Sequence, residues 1–335
     1  MVDNLSLSIL DRANSRSGGN TPSAGADAGA LRATLDRAVL AEGLGYRRFL
    51  VAEHHGVPGI AGSTPTLLAT AVAAVTSRIR VGTAGIMLPA HQPLVVAEQI
   101  LTLAALYPGR IDAGIGRSLG FTTAVRDALR QPADAAERYP DDLAELVSYL
   151  RGHGPITARP AVPQPPPVYV LANSRSIRAA AEAGLGVIVG GPKLFDRSVD
   201  RHEGLEQYRR HFRPSGVLEH PHAIIAANIA VADSRAEARR LLVPEAWALA
   251  LSRSTGSFDA LRPAEELNPD TLTARQRERV VRNIDSGIHG TPGEVESRLH
   301  ELLEFTGVAE LVVTGGMWDL DGQARSDELL AAMLR

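Results

Sequence analysis

The chain has 335 residues, of which 44% are hydrophobic and 22% charged, and its formal net charge is −3. This composition can bury a large core as two small domains or one large α/β barrel, and it carries no basic field for nucleic acid. The absence of cysteine excludes disulfides, thiolate metal sites and a cysteine nucleophile.

No apolar run reaches the ~18 residues of a membrane span. The opening MVDNLSLSILDR lacks the basic and apolar regions of a signal peptide, so a cytoplasmic protein with no membrane or nucleic-acid partner is expected. In chain order, residues 5–10 predict a strand, 14–27 a Gly/Ser-rich loop, and 28–44 a helix with Leu31, Leu35, Ala38, Val39 and Glu42 on its pattern. Residues 48–52 predict a second strand. Ser63-Thr64 followed by Pro65 marks the start of a helix over 65–75. A third strand is expected over 79–84, then a helix over 94–106 stopped by Pro108-Gly109. Strands over 111–115, 168–172, 187–189, 223–231 and 310–314 alternate with helices over 136–150, 176–183, 197–212, 234–251, 292–305 and 324–334. Most of these strands are near-continuous apolar runs, the signature of parallel strands buried on both faces. Eight strands interleaved with helices predict a (β/α)8 barrel, an α/β fold of the TIM type forming a single domain over 1–335. The doubly wound alternative lacks a Gly-rich first turn after Leu10. Residues 252–290 break the repeat before the last strand, with one helical pattern at 273–283, and are expected to form a lid. RPAVPQPPP at 159–167 reads as a stiff connector into a buried strand.

Side chains at the carboxyl ends of barrel strands face the active site. The second strand ends in Glu53-His54-His55. Adjacent residues on an extended chain point opposite ways, so the two histidines cannot share one role. They read either as a capping cluster or as site residues. A zinc site is disfavoured, because it needs three or four ligands and the first strand ends Leu10-Asp11-Arg12, with no histidine pair. His91 is the one other early histidine near a strand end. IDAGIGRSLG at 111–120 places Gly114, Gly116 and Arg117 at the fourth strand end. Its third glycine comes too late for a dinucleotide turn; the glycines suit close approach of a flat group, and Arg117 suits phosphate or a surface ion pair. VYVLANSRSIRAA at 168–180 passes from strand to helix through Asn173, Ser174, Arg175 and Ser176, which either cap the helix or hold a phosphate at its N-terminus. Gly82, Ala84 and Gly85 interrupt the third strand and mark a bulge, a close backbone approach or tight helix packing.

In this order and spacing, AEHH, SRIRVGTAGIMLPAHQPLVVAEQ, LYPGRIDAGIGRSLG, VYVLANSRSIRAAAEAGLGVIVGGP and GTPGEVESRLHELLEFTGVAELVV resemble the bacterial luciferase-like flavin monooxygenases along nearly the whole chain. A subgroup working in natural-product pathways is a reasonable fit. The resemblance implies a (β/α)8 barrel using reduced FMN and O2 through a flavin C4a-(hydro)peroxide on a small organic, secondary-metabolite-like substrate. It implies a separate flavin reductase as the source of FMNH2 and a homodimer built through barrel helices two and three. It puts the catalytic histidine at His54; His55 beside it is expected to belong to the same catalytic site and to orient the loop. It puts the phosphate site at Arg117 and Ser174-Arg175-Ser176, and a non-proline cis peptide behind the flavin at Ala84-Gly85. This chain departs from luciferase itself in having Asn173 for an acidic residue, Ile177 for threonine, Gly116 for cysteine and Gly190-Gly191 for an aromatic, which implies a roomier pocket and a different substrate. Hydroxylation, Baeyer–Villiger insertion and dehydrogenation all fit. The competing readings are an F420-dependent hydride-transfer oxidoreductase, a non-catalytic flavin-binding protein and a metal-dependent barrel hydrolase.

Overall fold

A computed structural model describes residues 5–19, 25–172, 176–196 and 198–333. Among them are ten strands: β1 (Ser6–Asp11), β2 (Arg48–Val51), β3 (Arg80–Thr83), β4 (Ile86–Met87), β5 (Ile111–Gly116), β6 (Val168–Ala172), β7 (Gly186–Gly190), β8 (Ala223–Val231), β9 (Ile288–Gly290) and β10 (Glu310–Thr314). Eight run parallel in the order β1-β2-β3-β5-β6-β7-β8-β10, and the ring closes where β10 pairs with β1. This is the expected barrel. The two additional strands are short: β4 continues β3 beyond a kink and pairs with β5, and β9 pairs with the far end of β8.

The alternation of each strand divides the core. Phe49, Val51, Val187, Val189, Leu311 and Val313 face outward into the large apolar layer between strands and helices. Leu50, Ile188 and Val312, one residue out of step, meet Ala84, Tyr169 and Ile224 inside the ring. Gly82 and Gly114 are where neighbouring strands come closest: a Cβ on either would lie 2.0 Å from a carbonyl oxygen, of Asp112 and Thr83 respectively. That explains glycine inside these strands as close backbone approach.

The amino ends of the strands are closed by charge. The Arg48 side chain, 2% exposed, donates to Asp112 Oδ2 at 2.6 Å and to Glu310 Oε1 at 2.5 Å. Arg80 pairs with the other side of Asp112 at 2.7 Å, and His222 Nε2 lies 3.2 Å from Glu310. Burial pushes the Glu310 carboxyl up, but hydrogen bonds from His222 and Arg48 outweigh it and hold it at about 2. The network fixes the bottom of the barrel and leaves the carboxyl ends for chemistry.

Most expected helices stand within two residues of their predicted bounds, among them Pro65–Val75, Pro93–Leu106, Ala135–Leu150 and Pro292–Thr306. Two differ. The helix expected over 197–212 begins only at Glu203, where His202 Nδ1 accepts the Leu205 amide at 3.2 Å and so sets the N-cap. A short helix, Thr123–Ala128, follows Arg117 where none was expected, capped by Thr122. The insertion before β10 carries the helix Ala274–Asp285. Upstream of that helix, the insertion packs on the loops that leave β1 and β2. The Gly59 amide donates to Phe258 O at 2.8 Å, and Ser15 and Leu261 are joined by an amide-to-carbonyl bond of 2.9 Å. Phe258 and Leu261 are buried with Val57, Ile60 and Ala248.

Candidate active site at the carboxyl ends of the strands

Beyond Val51 the backbone is held from three sides. The Ala52 amide donates to Asp11 O at 3.2 Å, the Ala84 amide to Val51 O at 2.7 Å and the His54 amide to Gly62 O at 2.9 Å. The next side chains diverge, as an extended chain requires. Glu53 is buried. Its Oε2 accepts the Met87 amide at 2.7 Å, and its Oε1 lies 2.6 Å from Nε2 of both His55 and His91. Burial raises the carboxyl, but the bonds to His55 and His91 and the imidazole charge more than reverse this and hold it at about 2.

His54 points elsewhere. Its ring stacks on Phe121, with centroids 6.0 Å apart and planes at 15°. Its Nδ1 is buried and has no hydrogen-bond partner among the described residues. Burial first, then the charge of Arg12, pull its pKa down to about 4, so the ring is neutral at neutral pH. Arg12, just past β1, forms an ion pair with the buried Glu245. Glu245 also accepts the Gly316 amide at 2.8 Å and lies 3.4 Å from Asn228 Nδ2. Burial lowers Arg12 to about 10, against the charge of Asp11, and it stays a cation at neutral pH. Residues from β1, β2, β8 and the turn after β10 thus meet at one mouth.

The peptide between Ala84 and Gly85 is cis. A Cβ on Gly85 would lie 2.8 Å from the Gly116 nitrogen, so this kink is pressed against the end of β5. Gly116 itself has room: a Cβ there would meet nothing closer than 3.6 Å. Gly191, after β7, has φ 96° and no neighbour within 4 Å of where a Cβ would sit. The next residue after Gly116 is Arg117, and it lines a cavity of about 710 Å³ together with Ser176. The cavity lies between the helices Ala135–Leu150 and Ile177–Glu182, and Tyr139 and Val170 line it too. The Tyr139 hydroxyl is buried without a partner among the described residues. Burial pushes this phenol up to about 12 against the opposing charge of Arg117.

The structure therefore brings His54, Ala84, Gly85 and Gly116 to the strand ends and Arg117 and Ser176 to one cavity beside them. His55 is turned to Glu53. Asn173, Ser174 and Arg175 lie outside the described residues. Sequence reasoning missed Arg12, Glu245, Phe121 and the joining of His91 to Glu53. Arg12 carried a usable signal, a cation directly after a buried strand. Glu245, next to Pro244 in the helix Arg235–Thr255, carried a weaker one. His91 and Glu53 meet across 38 residues of chain, which no spacing rule reports.

The profile of the luciferase-like monooxygenases matches residues 8–310. A luciferase-like monooxygenase of Escherichia coli (strain K12) is 34% identical over 301 residues, covering 88% of this chain and 89% of its own. The uncharacterized protein YvbT of Bacillus subtilis (strain 168) is 34% identical over 312 residues, 92% of each chain. The crystal structure of apo-MsnO8 superposes with a TM-score of 0.82 and 31% identity over 98% of each chain. Barrel, strand-end residues and these likenesses agree: the chain belongs to the luciferase-like monooxygenase family.

Proposed function

We propose that the protein oxygenates a small organic, secondary-metabolite-like substrate with O2 and reduced FMN, which a separate flavin reductase supplies. The observation that carries this reading is the shared cavity of Arg117 and Ser176, placed one residue beyond the open strand end at Gly116. A cation beside a helix start suits a phosphate. The space in front of Gly116, the kink at Ala84-Gly85 and the bare backbone at Gly191 suit a flat ring. Bound reduced FMN would supply the activation of O2. Arg117 and Ser176 would hold its phosphate, and we assign Asn173, Ser174 and Arg175 to the same anchor. The ring edge would lie beside His54, whose neutral imidazole holds or moves a proton at Nδ1. His55, tied to Glu53, keeps the loop in place.

We take the chain as one barrel domain with residues 252–290 as its lid. Burial of Phe258 and Leu261 against Val57 and Ile60 supports a role in excluding water from the mouth. No described helix is long and apolar enough to cross a membrane, and we place the enzyme in the cytoplasm. Leu67 (69% exposed) and Leu106 (60%) leave apolar surface on barrel helices two and three, which supports a homodimer through that face.

Titration of the purified chain with FMN and with F420, followed by oxygen-electrode measurements with an added FMN reductase and NADH, tests the reading. Saturable FMN binding, with product oxygenated at the expense of O2, is expected. Preference for F420 would move the enzyme to hydride transfer. Tight flavin binding with no oxygen chemistry on any substrate would make it a flavin carrier.

A further inference from the structure

The hydrogen bonds at Glu53 hold the loop after β2, and their geometry carries a second feature. Glu53 Oε1 is approached at 2.6 Å by two imidazole nitrogens, both Nε2, one from the end of β2 and one from the turn after β4. The three donor atoms of Glu53, His55 and His91 lie within 4.8 Å of one another. We propose that Glu53, His55 and His91 form a binding site for a divalent transition-metal ion of the zinc class, set beside the flavin mouth and separate from His54.

Three observations support it. Two imidazoles and one carboxylate are a donor set that binds such ions well. The other carboxylate oxygen of Glu53 is fixed by the Met87 amide at 2.7 Å, the kind of outer contact that orients a metal-binding carboxylate and leaves Oε1 for the ion. Both imidazoles are partly open, with side-chain exposures of 20% and 28%, which provides an entry path and room for a water as fourth ligand. A tetrahedral ion at ~2.0–2.2 Å from each donor would set them roughly 3.3 Å apart. The two Nε2–Oε1 pairs must open from 2.6 Å to reach that spacing, and the two Nε2 atoms already lie within 4.8 Å of each other. On binding, the two Nε2···Oε1 hydrogen bonds give way to two Nε2–metal bonds, each ring presenting the lone pair of Nε2 and carrying its hydrogen on Nδ1. The ion would then tie the end of β2 to the turn after β4.

The test uses the full chain, stripped with EDTA and free of flavin, so its outcome is independent of the FMN assignment. Titration with Co2+, followed by visible absorption, is expected to saturate at one ion per chain, with Zn2+ displacing it. His91→Ala and His55→Ala change two partly exposed side chains on different elements, and each is expected to weaken binding at least tenfold. His211→Ala, on an exposed helix end, is expected to leave the affinity within twofold. Lack of saturable uptake would overturn the proposal. So would equal affinity in wild type, His91→Ala and His55→Ala, which would mean an adventitious ion only.

Discussion

Replacing Arg117 by alanine removes the cation next to the strand end at Gly116 from the cavity that it lines with Ser176 and the unpartnered Tyr139 hydroxyl. A hydrogen bond from a charged donor contributes about 1.5–3 kcal/mol. Because Arg117 is only half-buried, solvent screens it and the lower part of that range applies. At about 1.4 kcal/mol per decade, the dissociation constant for FMN should rise roughly ten- to thirty-fold. Quenching of flavin fluorescence measures it directly. Riboflavin has the same ring and no phosphate, so its weaker binding should change by less than about twofold in the same variant. Raising the salt concentration should narrow the gap between wild type and variant for FMN and leave riboflavin alone. An unchanged FMN constant, or an equal loss for riboflavin, would refute the reasoning, because it would separate Arg117 from the phosphate.

His54→Ala should keep FMN binding within about twofold and lose most oxygenated product, at least 10²-fold in kcat, the usual scale for a positioned proton-transfer group; product analysis beside oxygen uptake checks it. Gly82→Ala drives a Cβ to 2.0 Å from the Asp112 carbonyl oxygen, whereas Gly116→Ala meets nothing within 3.6 Å. Thermal melts should therefore show a loss of about 1–3 kcal/mol for the first and little change for the second. Stability should also fall on acidification. His54 titrates near 4 in the fold instead of its ordinary 6.5, so it binds fewer protons folded than unfolded. Its contribution is complete above pH 6.5 and is lost as pH drops toward 4. Between pH 7 and 5 this amounts to about 1–2 kcal/mol, and urea melts of His54→Ala should show that slope removed. Glu53 and Glu310, held at about 2 instead of 4.5, add a further loss as pH falls below 4.5 toward 2.

The barrel was legible because its strands are buried on both faces. Runs such as β5, every residue of which is buried, need apolar or very small side chains at all positions but Asp112, which is paired with Arg48 and Arg80. Their spacing leaves room for one helix each. The elements that escaped are short. β4 has two residues and β9 three, too few for a period to show. The helix Thr123–Ala128 buries no side chain, so nothing selects an apolar face. At the site, the residues that could be anticipated sit on strand ends in runs of unusual composition. Those that could not are joined through space. Arg12 meets Glu245 and Glu53 meets His91 only because the ring closes and β4 kinks against β5. The diverging roles of His54 and His55 follow from extended-chain geometry and were predictable. Which of the two would be left with an unpartnered nitrogen was not.

A crystal structure of the chain soaked with FMN tests the central claim most directly. The account predicts the isoalloxazine against Ala84-Gly85 and Gly116, its edge beside His54, and its phosphate within hydrogen-bond reach of Arg117 and Ser176. Flavin density elsewhere on the barrel, or a phosphate far from Arg117, would contradict it.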